Sequence, residues 1–296
     1  MRCDLHVHTR HSGMCTVPLL NRLCRESYSE PLAVYEILKQ RRMDLVTVTD
    51  HDSIDAAESL RRHPDFFLSE EVSATSPSGT RLHIGVYDIR ERHHIEVQRR
   101  REDLMSLVAY LREERIFFTI NHVYSSLTGR RTGDDFALFA HYFPGIEVLN
   151  GQIPAFCNRG ASELARLLGK SAAGGSDAHT LASLGRTYTA VREARTKEDF
   201  LNGVRRGQAS LHGESGRYGK LTAAVWKLGF EMMREKPSTL LLSPLALAIP
   251  LVTLAHWLLD FAFANRWAPR TSVAGRAAAV GAGAWTAARQ FPEAGL

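Results

Sequence analysis

Short runs of apolar, β-branched residues alternate along this chain with stretches whose apolar side chains return every three or four positions. The first kind predicts strands at residues 2–6, 45–49, 66–70, 81–87, 117–121, 146–150, 172–175 and 187–191. The second predicts helices at 31–43, 91–115, 161–168 and 197–206. In the first of these Leu32, Tyr35 and Leu38 share a face, with Ser29 as the expected N-cap. In the second, Leu104, Leu107, Val108 and Leu111 face inward, and Arg99, Arg100 and Arg101 fall on the solvated side. Strands alternating with helices predict an α/β fold with a parallel sheet and crossover helices. Chemistry in such folds gathers at the carboxyl ends of the strands.

Those ends are where the polar residues fall. The strand at 45–49 runs into Asp50-His51-Asp52, the strand at 66–70 into Glu70-Glu71, the strand at 117–121 into Asn121-His122, and the glycines at 174–175 into Ser176-Asp177-Ala178-His179. His83 sits inside an apolar run. The chain opens on Asp4-Leu5-His6-Val7-His8, and side chains two apart on a strand share a face, so His6 and His8 present paired imidazoles. Burying two imidazoles together is costly unless something binds them, and a metal ion is the usual binder.

After about Gly213 the pattern changes. No Asp, Glu, Lys or Arg occurs between Ser238 and Leu259, and the apolar stretch 240–259 has about the length of a membrane span. Pro244, Pro250 and His256 interrupt it. Two readings stand: a segment inserted in or lying on a membrane, or an apolar tail packed on the main domain or a partner. The Ala/Gly-rich stretch 272–295 is expected to have little order. The expected division is a domain at 1–213 and an extension at 214–296 carrying the apolar segment 239–259.

With 296 residues, 44% hydrophobic and 23% charged, the chain has room for one large domain and an extension. A net charge of +5 suits an anionic substrate, an acidic membrane surface or nucleic acid. Cys3, Cys15, Cys24 and Cys157 form no C-x-x-C pair, which excludes a zinc ribbon or a thioredoxin motif; Cys15 remains a candidate ligand. The first residues contain no apolar run, so the expected location is cytoplasmic, with membrane association through 239–259 as an addition.

The candidate ligands are His6, His8, His51, Glu71, His83, His122, Asp177 and His179. Imidazoles and carboxylates suit Zn, Mn or Fe, and a carboxylate can bridge two such ions. Two ions roughly 3.5–4 Å apart can share a hydroxide and clamp a phosphoryl group during in-line attack. No Cys or Ser with an obvious base partner competes as nucleophile.

Asp4-Leu5-His6-Val7-His8-Thr9, Thr49-Asp50-His51-Asp52, Glu71-Val72-Ser73, Leu82-His83-Ile84, Asn121-His122 and Gly175-Ser176-Asp177-Ala178-His179 resemble, in this order, the motifs of the polymerase and histidinol phosphatase (PHP) family. The resemblance covers roughly residues 1–213. It implies a distorted seven-stranded β/α (TIM-like) barrel, two to three divalent ions (Zn, Mn or Fe) and hydrolysis of phosphate esters. It implies that His6, His8 and Asp177 hold the first ion, that Glu71 bridges to a second completed by His83 and His122, and that His51 and His179 serve a third. The catalytic set it implies is His6, His8, Glu71, Asp177 and His179. Glu71 is preferred to Glu70 because a Val-Ser pair follows it. One departure stands out: the turn His11-Ser12-Gly13-Met14 has Gly13 where the family often has an acid, leaving the third position to water or His11.

Arg186 and Arg159 are candidate phosphate binders, since guanidinium groups hold phosphate bidentately. Asp50 and Asp52 are expected either to orient His51 or to cap the next helix. The expected function is a metal-dependent phosphoesterase using a metal-bridging hydroxide on a small phosphorylated metabolite, a nucleotide or a short oligonucleotide. An amidohydrolase-like metallohydrolase and a non-catalytic, metal-stabilised scaffold with a docking tail are the alternatives. No lysine stands at a matching strand end, and the Glu71 bridge favours phosphoesters. The substrate-shaping loops 12–28 and 124–141 carry no motif for a base or a sugar, and the oligomeric state is left open.

Overall fold

The fold is described by a computed structural model covering residues 1–16, 20–128 and 131–280. In chain order the elements are β1 (Arg2–Cys3), α1 (Pro31–Gln40), α2 (Ala57–Leu60), β2 (Ser69–Thr75), β3 (Arg81–Tyr87), α3 (Glu91–Arg100), α4 (Leu104–Glu113), β4 (Phe117–Ile120) and α5 (Gly133–Tyr142). There follow β5 (Gly145–Asn150), α6 (Ala155–Leu168), β6 (Ser171–Gly175), β7 (Thr187–Ala190), α7 (Lys197–Arg205), β8 (Ser210–Gly213), α8 (Tyr218–Glu235), a 3₁₀ stretch (Pro237–Ala248) and α9 (Ile249–Val280).

Five strands form one sheet in the order β2-β3-β4-β5-β6, and three form another in the order β1-β7-β8. The expected parallel sheet is mixed: β2, β3 and β4 run antiparallel, β4, β5 and β6 parallel, and the smaller sheet is antiparallel throughout. Neither sheet closes on itself, so the ladders do not make the expected seven-stranded barrel. Segments 5–9 and 45–51 instead touch their neighbours at single bridges, Val7 to Ala178, Val46 to Phe66 and His51 to Glu71.

Buried side chains take the backbone groups that a continuous ladder would use. Asp4 accepts from the backbone N–H of Ser176, Gly185 and His6 at 2.7, 2.8 and 3.3 Å. Val7 N–H donates to Thr49 Oγ1 at 3.0 Å, and Thr9 N–H to Asp50 at 2.6 Å. Burial pushes the Asp4 carboxyl up to about 6 against these three hydrogen bonds.

Apolar faces pack the rest. Val72, Ile84, Phe118 and Ile146 of the large sheet meet Val97, Leu107 and Leu111 of α3 and α4 and Leu164 of α6. Val7, Val46 and Val48 pack on Val34 and Leu38 of α1.

The helices depart from expectation in instructive places. The long helix at 91–115 is two, because Asp103 accepts from Met105 N–H and Ser106 N–H at 3.0 and 3.2 Å and starts α4 afresh. Glu30, not Ser29, precedes α1, with Pro31 in its first turn. Helix α5 lies in a stretch read as a loop; Thr132 and Asp135 form its reciprocal cap.

Helix α9 packs on α6 and α5: Trp257 and Phe261 meet Phe156 at 5.4 and 5.3 Å, and Trp267 meets Phe136 at 5.2 Å. One face of the apolar extension therefore packs on the domain. Residues 272–280 continue α9 where little order was expected; the remainder of that tail lies outside the described residues, as do 17–19 and 129–130 of the two loops.

Gly175 brings β6 against the strand that carries His6. A Cβ at this position would lie 2.3 Å from His6 N and 2.5 Å from its Cβ. Gly175→Ala is expected to cost about 1–3 kcal/mol of stability through overpacking. A lowered urea midpoint with an unchanged slope is the expected reading, and an unchanged midpoint would show that the two segments part freely.

Candidate metal centre

His6 and His8 point from one side of their extended segment, and their Nε2 atoms lie 3.0 Å apart. Asp177 Oδ1 is 3.5 Å from the first and 3.3 Å from the second. Ligand atoms about 2.1 Å from a tetrahedral ion sit about 3.4 Å from each other, which this trio matches. Glu71 sits at the middle of the cluster. Its Oε2 lies 3.3, 3.5, 3.3 and 3.7 Å from His6 Nε2, His8 Nε2, His51 Nδ1 and His83 Nδ1, and its Oε1 lies 3.2 Å from His122 Nε2.

Four groups of three ligands overlap through these residues: His6, His8 and Asp177; His6, Glu71 and His122; His51, Glu71 and His83; and His8, His51 and His179. All eight sequence-selected ligands thus converge.

The donor set fits divalent cations. His51 Nδ1 and His122 Nδ1 are buried without a hydrogen-bond partner among the described residues. Burial alone would raise Glu71, yet His6, His83 and His51 and the His122 hydrogen bond hold it well below the usual carboxylate range. Asp177 is held down in the same way by His6, His8 and His179. Burial and the nearby His179 lower His8 to about 4; burial lowers His51 to about 3 despite Glu71. His8 and His51 are therefore neutral and Glu71 and Asp177 ionised, while Glu71, Asp177 and Glu147 raise His6 and Glu71 raises His122, so a cation entering the centre takes the place of protons there.

Further buried groups hold these ligands in place. His6 Nδ1 meets Glu147 Oε1 at 2.7 Å, and Glu147 Oε2 accepts from His122 N–H at 2.9 Å. His8 Nδ1 meets Ser12 Oγ at 3.0 Å, and Ser12 donates in turn to Asp50 at 2.6 Å. The Asn121 amide donates to Glu71 at 2.8 Å, and the Asn150 amide to Asp177 at 3.0 Å. A hydrogen bond to the far ring nitrogen fixes a histidine's tautomer and orientation. Glu147, Asn150 and Ser12 were missed in the sequence; Glu147 had a signal, as a charge inside an otherwise apolar strand. His122 and Asp177 also hold positive φ angles of 30° and 50°, rare for side-chain-bearing residues and common at ligand clamps.

Other candidates fall elsewhere. Glu70 faces the opposite side of β2 and binds His94 and Gln98 at 2.9 Å each. Neither acid beside His51 orients it: Asp50 acts on His8 through Ser12, while Asp52 accepts from Ser73 N–H at 2.9 Å and pairs with Arg101. His11 and Cys15 join none of the ligand groups.

Gly13 has φ 81° with open space where a Cβ would be, so the turn favours glycine on conformational grounds. The same loop instead delivers Glu26, whose Oε2 lies 3.6 Å from His179 Nε2. His179 Nδ1 is 3.0 Å from the Asp177 carbonyl oxygen, which leaves Nε2 facing Glu26.

His179 also stands at the end of a groove of about 970 Å³ that runs between residues 179–186 and α8. Arg186 lines this groove, together with Leu181, Ala223, Leu228 and the cationic Lys220 and Lys227. Arg159 is exposed on α6 and is not among the lining residues.

A family model for a PHP-associated segment matches residues 157–209, the stretch that carries Asp177 and His179. Over that segment the chain is similar to PHP-associated proteins. No curated protein matches it in sequence. Among solved structures, the chain is similar in fold to PsfC from Pseudomonas syringae PB-5123, at 20% identity and TM-score 0.56 over 79% of this chain and 98% of that one. Matches of lower TM-score include a provisionally assigned metal-dependent phosphoesterase from Bifidobacterium adolescentis (14% identity, TM-score 0.43, 68% and 94% of the two chains). The lesion-specific endonuclease PfuEndoQ from Pyrococcus furiosus matches at 16% identity and TM-score 0.49, over 74% of this chain and 60% of that one.

If Glu147 sets the His6 tautomer, Glu147→Gln weakens metal affinity about 10–100-fold. Competition with a chromophoric chelator measures this, and an unchanged affinity would remove Glu147 from the site.

Proposed function

We propose that this protein is a metal-dependent phosphoesterase acting on a small phosphorylated molecule. The observation that carries the reading is the Glu71 carboxylate enclosed by five imidazoles, with Asp177 at its edge. That donor set has the carboxylate needed to bridge two ions.

His6, His8 and Asp177 would hold one ion, Glu71, His83 and His122 a second, and His51 and His179 a third. When bound, such ions supply Lewis acidity and an activated water at neutral pH. The chain's own residues do the rest. Glu147, Ser12, Asn121 and Asn150 orient the ligand atoms, and the surrounding histidines keep Glu71 and Asp177 ionised. Arg186 stands in the groove where a phosphate reaching His179 would pass, and its guanidinium suits phosphate oxygens. The groove's volume fits a small ligand, and its apolar wall at Leu181, Ala223 and Leu228 excludes water from the leaving part of the substrate.

Glu26 is the acid we assign to the third position in place of the one that Gly13 lacks. Its carboxylate and His179 Nε2 face each other at a ligand-to-ligand separation.

Two experiments test the reading. Asp177→Ala and His8→Ala, assayed with Mn²⁺ across phosphorylated metabolites, nucleotides and short oligonucleotides, are expected to lower turnover by ~100-fold or more. Survival of activity in either variant would refute the catalytic assignment. Metal counted per chain is expected to fall by one equivalent in Glu26→Gln while the Glu71-centred ions remain. Full retention would leave the third position to other donors.

A further inference from the structure

Helix α9 has Thr253, Asp260 and Thr271 turned inward and its leucines turned outward. Thr253, Asp260 and Thr271 are its buried polar side chains, at 3%, 0% and 7% exposure. Asp260 Oδ1 accepts from Ser126 N–H and Ser126 Oγ–H at 2.7 Å each. Thr253 Oγ1 meets Thr222 Oγ1 of α8 at 2.8 Å, and Thr271 bonds the Tyr124 hydroxyl. Leu251, Val252, Leu258 and Leu259 lie on the outside instead, and in the 3₁₀ stretch before them Leu241 and Leu247 are 87% and 81% exposed. Trp226 and Phe230 of α8 are exposed as well. A soluble helix shows the opposite arrangement, and an exposed apolar surface of this extent marks an interaction site.

The composition around this face identifies what covers it. No charged residue occurs between Pro237 and Leu259, which suits hydrocarbon. At the margins, cations sit over aromatic rings: Lys227 over Phe230 at 5.5 Å, and Arg266 and Arg270 over Trp267 at 5.5 and 5.6 Å. Aromatic rings beside cations are the residues that settle at the headgroup level, and the cations favour anionic lipid.

By length and hydropathy Pro237–Thr271 would also suffice to cross a bilayer. Its docking argues otherwise. Asp260, Trp267 and Thr271 tie α9 lengthwise to the domain, and a helix fastened along one flank to a water-soluble body cannot also traverse the hydrocarbon.

We infer that the protein rests on an anionic bilayer surface through the outer face of the 3₁₀ stretch and α9, lying in the interface without crossing it. This is independent of the reaction at the metal centre.

The test is flotation of the full chain, carrying a carboxyl-terminal peptide tag, with vesicles of phosphatidylcholine and phosphatidylglycerol. The wild type is expected to float. The double variant Leu247→Glu and Leu251→Glu, with metal content and circular dichroism unchanged, is expected to bind at least about tenfold more weakly, because two apolar contacts with the acyl boundary become charged. Protease added outside the vesicles is expected to remove the tag. A protected tag would overturn the in-plane placement. A wild type that stays with the aqueous fraction, or that forms a dimer in light scattering which the double variant abolishes, would overturn the lipid assignment and give the face to a second copy.

Discussion

One carboxylate governs this structure. Glu71 is buried, ionised and ringed by imidazoles from four separate stretches of the chain. Burying a single charge is expensive unless opposite charge or a cation is brought to it. The fold meets that requirement by converging the amino-terminal segment, the segment before His51, the facing strands β2 and β3, and the turn after β4 on one point. The broken ladders at residues 5–9 and 45–51 reflect the same demand, because Asp4, Thr49 and Asp50 use their side chains where regular strands would use backbone partners.

The polar groups around the ligands form a connected frame. Glu147 joins His6 to the backbone of His122, and Asn150 joins Glu147 to Asp177. Ser12 and Asp50 secure His8 from the other side. Such a frame raises the cost of moving any one ligand, since each carries the orientation of another. The positive φ angles at His122 and Asp177 are sustained by the same bonds.

Much of this was readable in the chain. The ligands could be named because histidine and acid recur where apolar runs end, a placement that packing does not explain. Strand β3 was read to its residue limits, and β4 to β7 to within a residue at each end. The sheet's mixed direction was not readable, because alternation of element types carries no information on whether β2 and β3 pair by a hairpin. The Gly79 turn between them has φ 79° and was the local clue. The division of the helix at 91–115 was lost because Asp103 interrupts a continuous apolar periodicity without a proline or glycine. Glu26 was invisible because it reaches His179 across the fold, at no fixed distance from any motif.

The groove beside His179 has two walls of different origin. One is built from the motif-bearing part of the chain, residues 28–33 and the loop at 179–186, and the other from α8, beyond the segment that resembles the PHP family. On the proposed function, chemistry and selectivity are written in different parts of the chain. Replacing Ala223 or Leu228 would then alter which molecule reaches the centre and leave the centre itself untouched. A lineage that kept the motif-bearing domain and exchanged its carboxyl-terminal helices would, on the same reading, inherit the reaction and acquire a new substrate.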